Sequence, residues 1–222
     1  MRILAVAFDY GSVLAWPPSS RACGRIAATA GMPQSVLLDR YYRDRPAYDH
    51  GTIDAIEYWR RVTQGYPAAS SEPELETLAG LDVEAWSQPN ETALDWLPKL
   101  KAAGLRVALL SNMPESFAGA LEQRDRWLDL FDHRLYSGRV RLSKPDPAVY
   151  RLLLETLNGH SGSIAPENVL FLDDLEANVS AARSTGIRAE LYNVFDGSLP
   201  AIAREYGLPV PVETRPDRKS VV

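Results

Sequence analysis

The chain of 222 residues holds one cysteine, Cys23. A single thiol excludes an intramolecular disulfide and supplies no zinc-type cluster, so the sequence fits a reducing compartment and a cytoplasmic location is expected. No histidine lies near Cys23 in sequence to activate it as a nucleophile. No run reaches the roughly 18 apolar residues of a membrane-spanning helix. The opening "MRILAVAF" is apolar but stops at Asp9, too short for a signal-peptide core with a cleavage site. Positive charge is also not in excess: the formal net charge is -5, which gives no support to a nucleic-acid-binding surface. Internal repeats and low-complexity tracts are missing too. What remains is a soluble chain of ordinary composition, long enough for one core with or without a smaller insertion.

What is present begins with three short, continuously apolar runs: residues 3–8 (ILAVAF), 105–110 (LRVALL) and 168–172 (NVLFL). Such runs suit strands covered on both faces. Weaker candidates are 133–137 and 188–193. Between them lie helical patterns. Residues 90–104 run to a stop at Gly104, with Pro98 as a candidate bend or break. Residues 112–123 form a second pattern. Residues 146–157 open with Asp146 as cap and Pro147 at the first helical position, and residues 175–186 close at Gly186. Alternation of this kind predicts an α/β fold, a three-layer Rossmann-like parallel sheet. Residues 17–89 contain helical patterns and no comparable strand, so they read as an inserted small α-helical cap. The core is then 1–16 and 90–208, with Trp16-Pro17-Pro18 as the hinge and 209–222 as an extended tail.

Each apolar run ends on polar groups: Asp9, then Ser111-Asn112, then Asp173-Asp174. Ligands of open parallel sheets bind beyond the carboxyl ends of the strands, so neighbouring strands would bring these groups to one crevice. Lys144, just before the helix that Asp146 caps, would join them. Several carboxylates with backbone carbonyls make a hard oxygen site suited to Mg²⁺. Lys144 would supply a fixed positive charge, and the Ser111 hydroxyl with helix-start N–H groups would bind phosphate oxygens. An aspartate in line with a metal-bound phosphorus can attack it. Read singly, Ser111-Asn112 is also a helix cap, Lys144 a surface charge and Asp173-Asp174 a dipole-complementing pair. Their order along the chain favours the joint reading.

With "FDYGSVL", "LLSN", "SKPDPAVY" and "FLDDLEANVSAARSTG" in this order, the chain resembles the haloacid dehalogenase-like superfamily of hydrolases, over most of residues 1–193. "YDHGTIDAIEYW" is similar to a cap segment of the branch with the soluble epoxide hydrolase phosphatase domain and bacterial sugar-phosphate phosphatases. The resemblance implies Asp9 as nucleophile, Lys144 as stabilising lysine, Ser111 as phosphate binder and Asn112 lining the site. It implies Mg²⁺ held by Asp9, the Gly11 carbonyl, Asp174 and Asp173, with Asn178 where many relatives carry another acid. A small phosphorylated metabolite is the expected substrate, and a monomer or homodimer the expected assembly.

One position departs from that pattern. Most phosphatases of the superfamily carry a second aspartate two residues after the nucleophile, as general acid and base, and here Gly11 stands there. A backbone metal ligand survives that change; a proton donor does not. A phosphatase with another acid (Asp49 or His50 of "YDHG") or with water doing that job, a non-catalytic or very slow binding relative, and a metal-free 2-haloacid dehalogenase are the readings left. Asp173-Asp174 counts against the dehalogenase. Substrate choice is expected from the cap, with Tyr41, Tyr42, Arg43, Arg45 and Trp59 as candidates.

Overall fold

A computed structural model describes residues 2–69, 71–159 and 164–212. Five parallel strands, β1 (Ala5–Phe8), β2 (Arg106–Ser111), β3 (His133–Tyr136), β4 (Val169–Asp173) and β5 (Arg188–Leu191), form one sheet in the order β3-β2-β1-β4-β5. The chain steps outward from β1 to β2 and β3, then returns to the other side of β1 for β4 and β5. The reversal puts a topological switch point at β1, where such sheets form their ligand crevice.

Alternating side chains of the central strands feed two cores. Val6, Phe8, Val107, Leu109, Leu170 and Leu172 face α5 (Glu91–Ala102), α6 (Glu115–Arg124) and α10 (Leu199–Glu205). Trp96 meets Phe8 edge-on at 5.8 Å in this layer. Ala5, Ala7, Ala108, Leu110, Val169 and Phe171 face α8 (Pro147–Asn158) and α9 (Glu176–Ser184) on the opposite side. Burial on both faces explains why these strands carry no polar alternation. Pro98 lies on the exposed face of α5, and the helix runs through it unbroken. Asp146 caps α8 by accepting from Ala148 N at 2.8 Å, with Pro147 next as the pattern predicts.

Between β1 and β2 the chain builds a third core from α1 (Ser20–Thr29), α2 (Gln34–Asp49), α3 (Ala55–Val62) and α4 (Glu72–Ala85). Trp59 belongs to this core and is fully buried, as is Tyr58, so Trp59 presents nothing to a substrate. The segments entering and leaving the helical block lie side by side. Ala15 bridges Pro89, Trp16 N donates to Gln88 O at 2.8 Å, and Asn90 N donates to Leu14 O at 2.8 Å. Asn90 Nδ2 adds bonds to Val13 O and the Tyr192 hydroxyl. Of the expected tail, Pro209 accepts from the Trp96 indole, and residues 213–222 lie outside the described residues. Among the described residues no helix is long and apolar enough to cross a membrane.

The short α7 (Ser137–Val140) packs against the loop that follows β2. A Cβ on Gly138 would come within 2.6 Å of Glu115 N, 2.8 Å of Pro114 Cα and 2.9 Å of Met113 O, all backbone atoms. Gly138→Ala is therefore expected to lower stability by about 1–3 kcal/mol, the usual cost of overpacking. A denaturant midpoint unchanged by this substitution would mean that the loop yields freely.

Candidate active site

The strand register levels the polar groups. Phe8 lies opposite Leu109 and Leu172, so Asp9 stands one residue beyond, level with Asp173 at the end of β4. Asp9 N still donates to Leu172 O at 2.9 Å, which keeps Asp9 in strand geometry as the chain begins to turn. The turn then tightens on the Tyr10 carbonyl, which accepts from Leu14 N and Ala15 N, both at 2.9 Å. Ser12 sits in the left-handed region at φ 58°. Ser111, 4% exposed, closes β2.

Lys144 joins the strand ends. Its ammonium lies 2.7 Å from Asp9 Oδ1 and 2.6 Å from Asp173 Oδ2, with its side chain 1% exposed. Burial opposes its charge, but Asp173 and Asp9 overcome that and hold it above the ordinary lysine value. The loop carrying Lys144 is fixed by Asn112, whose Nδ2 donates to Lys144 O at 2.8 Å and whose Oδ1 accepts from Lys144 N at 2.9 Å. Both ends of the Asn112 amide are thus engaged by protein backbone. Asp173 is equally committed: its second oxygen accepts from Leu175 N at 2.9 Å and from Asn178 Nδ2 at 2.8 Å. Asn178 therefore orients Asp173.

Asp9, Asp173 and Asp174 can each offer an oxygen such that the three lie within 4.8 Å of one another. Three carboxylates against one ammonium leave the cluster short of positive charge. The imbalance shows in Asp9, which burial pushes from 3.8 to about 7 despite the pull of Lys144, with Asp173 and Asp174 adding repulsion. Asp174 is raised too, by burial and then by Asp173. Hard oxygen donors with a charge deficit fit a divalent cation of the Mg²⁺ type.

The helical block closes one side of this turn. The Trp86 ring lies over Gly11, where a Cβ would come within 3.1 Å of it. Trp86 Nε1 donates to the Tyr41 hydroxyl at 2.9 Å, and that hydroxyl donates to Asp82 Oδ1 at 2.6 Å. Arg45 then bridges Asp82 Oδ2 at 3.0 Å and Asp49 Oδ1 at 2.7 Å. Asp49 and His50 are latched onto the core. The Ser137 hydroxyl donates to Asp49 O, His50 Nδ1 lies 2.8 Å from Ser143 Oγ, and Arg141 reaches Gly51 O. Sequence reasoning named Tyr41, Arg45, Asp49 and His50 singly; their linkage through Asp82 and Trp86 has no short-range signal. Tyr42, half exposed, takes no part in that chain of bonds.

A profile of haloacid dehalogenase-like hydrolases matches residues 3–186. The chain belongs to this family. Among the relatives of this hydrolase is a phosphorylated carbohydrates phosphatase of Thermotoga maritima, 38% identical over 86% of this chain and 84% of that protein. Bifunctional epoxide hydrolase 2 of Mus musculus is 24% identical over 98% of this chain, which spans only 42% of that longer protein. The same fold occurs in a HAD family enzyme from Bacteroides thetaiotaomicron, solved with magnesium and inorganic phosphate. The TM-score is 0.69 at 20% identity, over 87% of this chain and 96% of that one.

The raised Asp9 carboxyl carries a stability consequence. Between about pH 4 and 7 the folded chain keeps a proton on Asp9 that the unfolded chain has lost, so stability falls as pH rises through that window. With chelator present, Asp9→Asn is expected to be the more stable protein at pH 8, by on the order of 2 kcal/mol, with the gap closing toward pH 4. A less stable Asn variant at pH 8 would show that Asp9 is not held against its charge.

Proposed function

We propose that this hydrolase is a Mg²⁺-dependent phosphatase that cleaves a small phosphorylated metabolite through an aspartyl-phosphate on Asp9. The observation that carries the reading is the cluster of three carboxylates at the switch point, with Lys144 as its one ammonium. A 2-haloacid dehalogenase would leave Asp174 without a task.

In this reading Asp9, Asp174 and the Gly11 carbonyl hold Mg²⁺, with Asp173 beside them. The ion would supply positive charge that offsets the phosphate and favours the ionised form of Asp9. Lys144 keeps the second Asp9 oxygen oriented and balances charge as Asp9 attacks phosphorus. Ser111, with N–H groups at the start of α6, receives phosphate oxygens. Asn112 is a positioning residue for Lys144 rather than a substrate ligand, because its amide is already engaged. The helical block acts as the cap, sheltering the site and contacting the rest of the substrate.

The test is phosphate release from a panel of phosphomonoesters. Phosphorylated carbohydrates come first, because the Thermotoga maritima relative is named for them. Release is expected to require Mg²⁺, to stop with chelator and to fall to background in Asp9→Asn. Turnover that survives chelator, or survives in the Asn variant, would sink the proposal.

A further inference from the structure

Cleavage of an alkyl phosphate expels an alkoxide, which needs a proton as the P–O bond breaks. Among the described residues, the charged groups at the strand ends are already committed. Asp9 is the proposed nucleophile, Lys144 lies between two carboxylates, and both oxygens of Asp173 are bonded. Asp174 belongs to the proposed metal site. The turn itself offers no donor at Gly11, which has no side chain, and the Trp86 ring lies close above it.

We propose that Asp49, reaching the site from the helical block, is the residue that gives this proton and takes it back. The assignment rests on the phosphatase reading above. Asp49 ends α2 against two of the loops that form the site. Its carbonyl accepts from Ser137 Oγ, which itself accepts from Met113 N at 2.9 Å, next to Ser111-Asn112. The next residue, His50, is bonded to Ser143, next to Lys144. Arg45 takes one Asp49 oxygen, and among the described residues no group bonds the other. The Asp49 side chain is 17% exposed, so it is sheltered without being sealed.

The charged and titratable groups around Asp49 are Arg45 on its own helix, His50 next in sequence, Asp82 on α4, Arg141 after α7, which bonds Gly51 O, and Lys144 on the loop before α8. Burial pushes its carboxyl up to about 6 against the pull of Arg45, with Asp82 adding to the rise and Lys144 opposing it. A carboxyl tuned toward neutrality is suited to exchanging a proton in both directions. In the first step Asp9 bonds to phosphorus, the P–OR bond breaks, and the Asp49 proton passes to the leaving oxygen to give ROH. In the second, Asp49 takes a proton from water as its oxygen attacks phosphorus. The P–O bond to Asp9 breaks, releasing inorganic phosphate and restoring protonated Asp49.

The test compares a primary alkyl phosphate with 4-nitrophenyl phosphate, whose leaving group needs little protonation, in wild type, Asp49→Asn, Asp49→Glu and His50→Gln. Asp49→Asn is expected to lose about 10²–10³-fold in kcat on the alkyl ester, with less than tenfold loss on the aryl ester. KM should move little. The alkaline fall of the alkyl kcat/KM profile should disappear, and Asp49→Glu should recover part of the alkyl rate. Equal losses on both esters, or no loss, would overturn the assignment, as would a selective alkyl loss in His50→Gln alone. Phosphate release from neither ester by wild type with Mg²⁺ would overturn the phosphatase reading and this assignment with it.

Discussion

The buried ammonium of Lys144 is the constraint around which the rest of this structure is arranged. It lies between Asp9 and Asp173, almost without solvent. A charge in that position is tolerable only when its partners are fixed, and removing Lys144 would leave the buried carboxylates of Asp9 and Asp173 without their counter-charge, typically at about 3–5 kcal/mol. The surrounding bonds serve that fixation. Asn112 ties the lysine backbone to the end of β2, while Asn178 and Leu175 N tie Asp173 to the start of α9. Three strands and two helices thus meet at one charge.

This arrangement follows from the topology. With β1 between β2 and β4, the chain ends of three adjacent strands point to the same crevice, and a level register needs no long side chains to bridge them. Small residues on one face of β1, Ala5 and Ala7, sit beneath α8 and α9, which carry the elements following Lys144 and Asp174. Packing of that layer therefore also sets the height of the site.

Much of this was legible in the sequence because it is local. Continuous apolar runs marked β1, β2 and β4, and the polar residue ending each run marked the crevice. Asp146-Pro147 marked the start of α8. What the sequence did not show depends on contacts between distant segments. Pro98 reads as a break, yet its position on the exposed face lets α5 continue. Asn112 reads as a site residue, and only its partner 32 residues away shows both amide ends engaged. Trp86, which ends α4, covers Gly11, a relation between positions 75 residues apart that no periodicity records.

On the proposed reading, the covered glycine gives the helical block a part in the site's chemistry beyond shelter. In the core alone, Gly11 is a turn with nothing to offer but its backbone. With the block in place, Trp86 packs on that turn and begins a run of bonds through Tyr41, Asp82 and Arg45 to Asp49. Burial raises the Asp49 carboxyl against the pull of Arg45, which it shares with Asp82. The latches at Ser137, Ser143 and Arg141 exist only while block and core are together. A proton donor on the block makes proton transfer depend on closure, whereas one on the turn would be present in every state. On this view the missing side chain at Gly11 and the tryptophan above it are two parts of one design, in which cleavage waits until the substrate is enclosed.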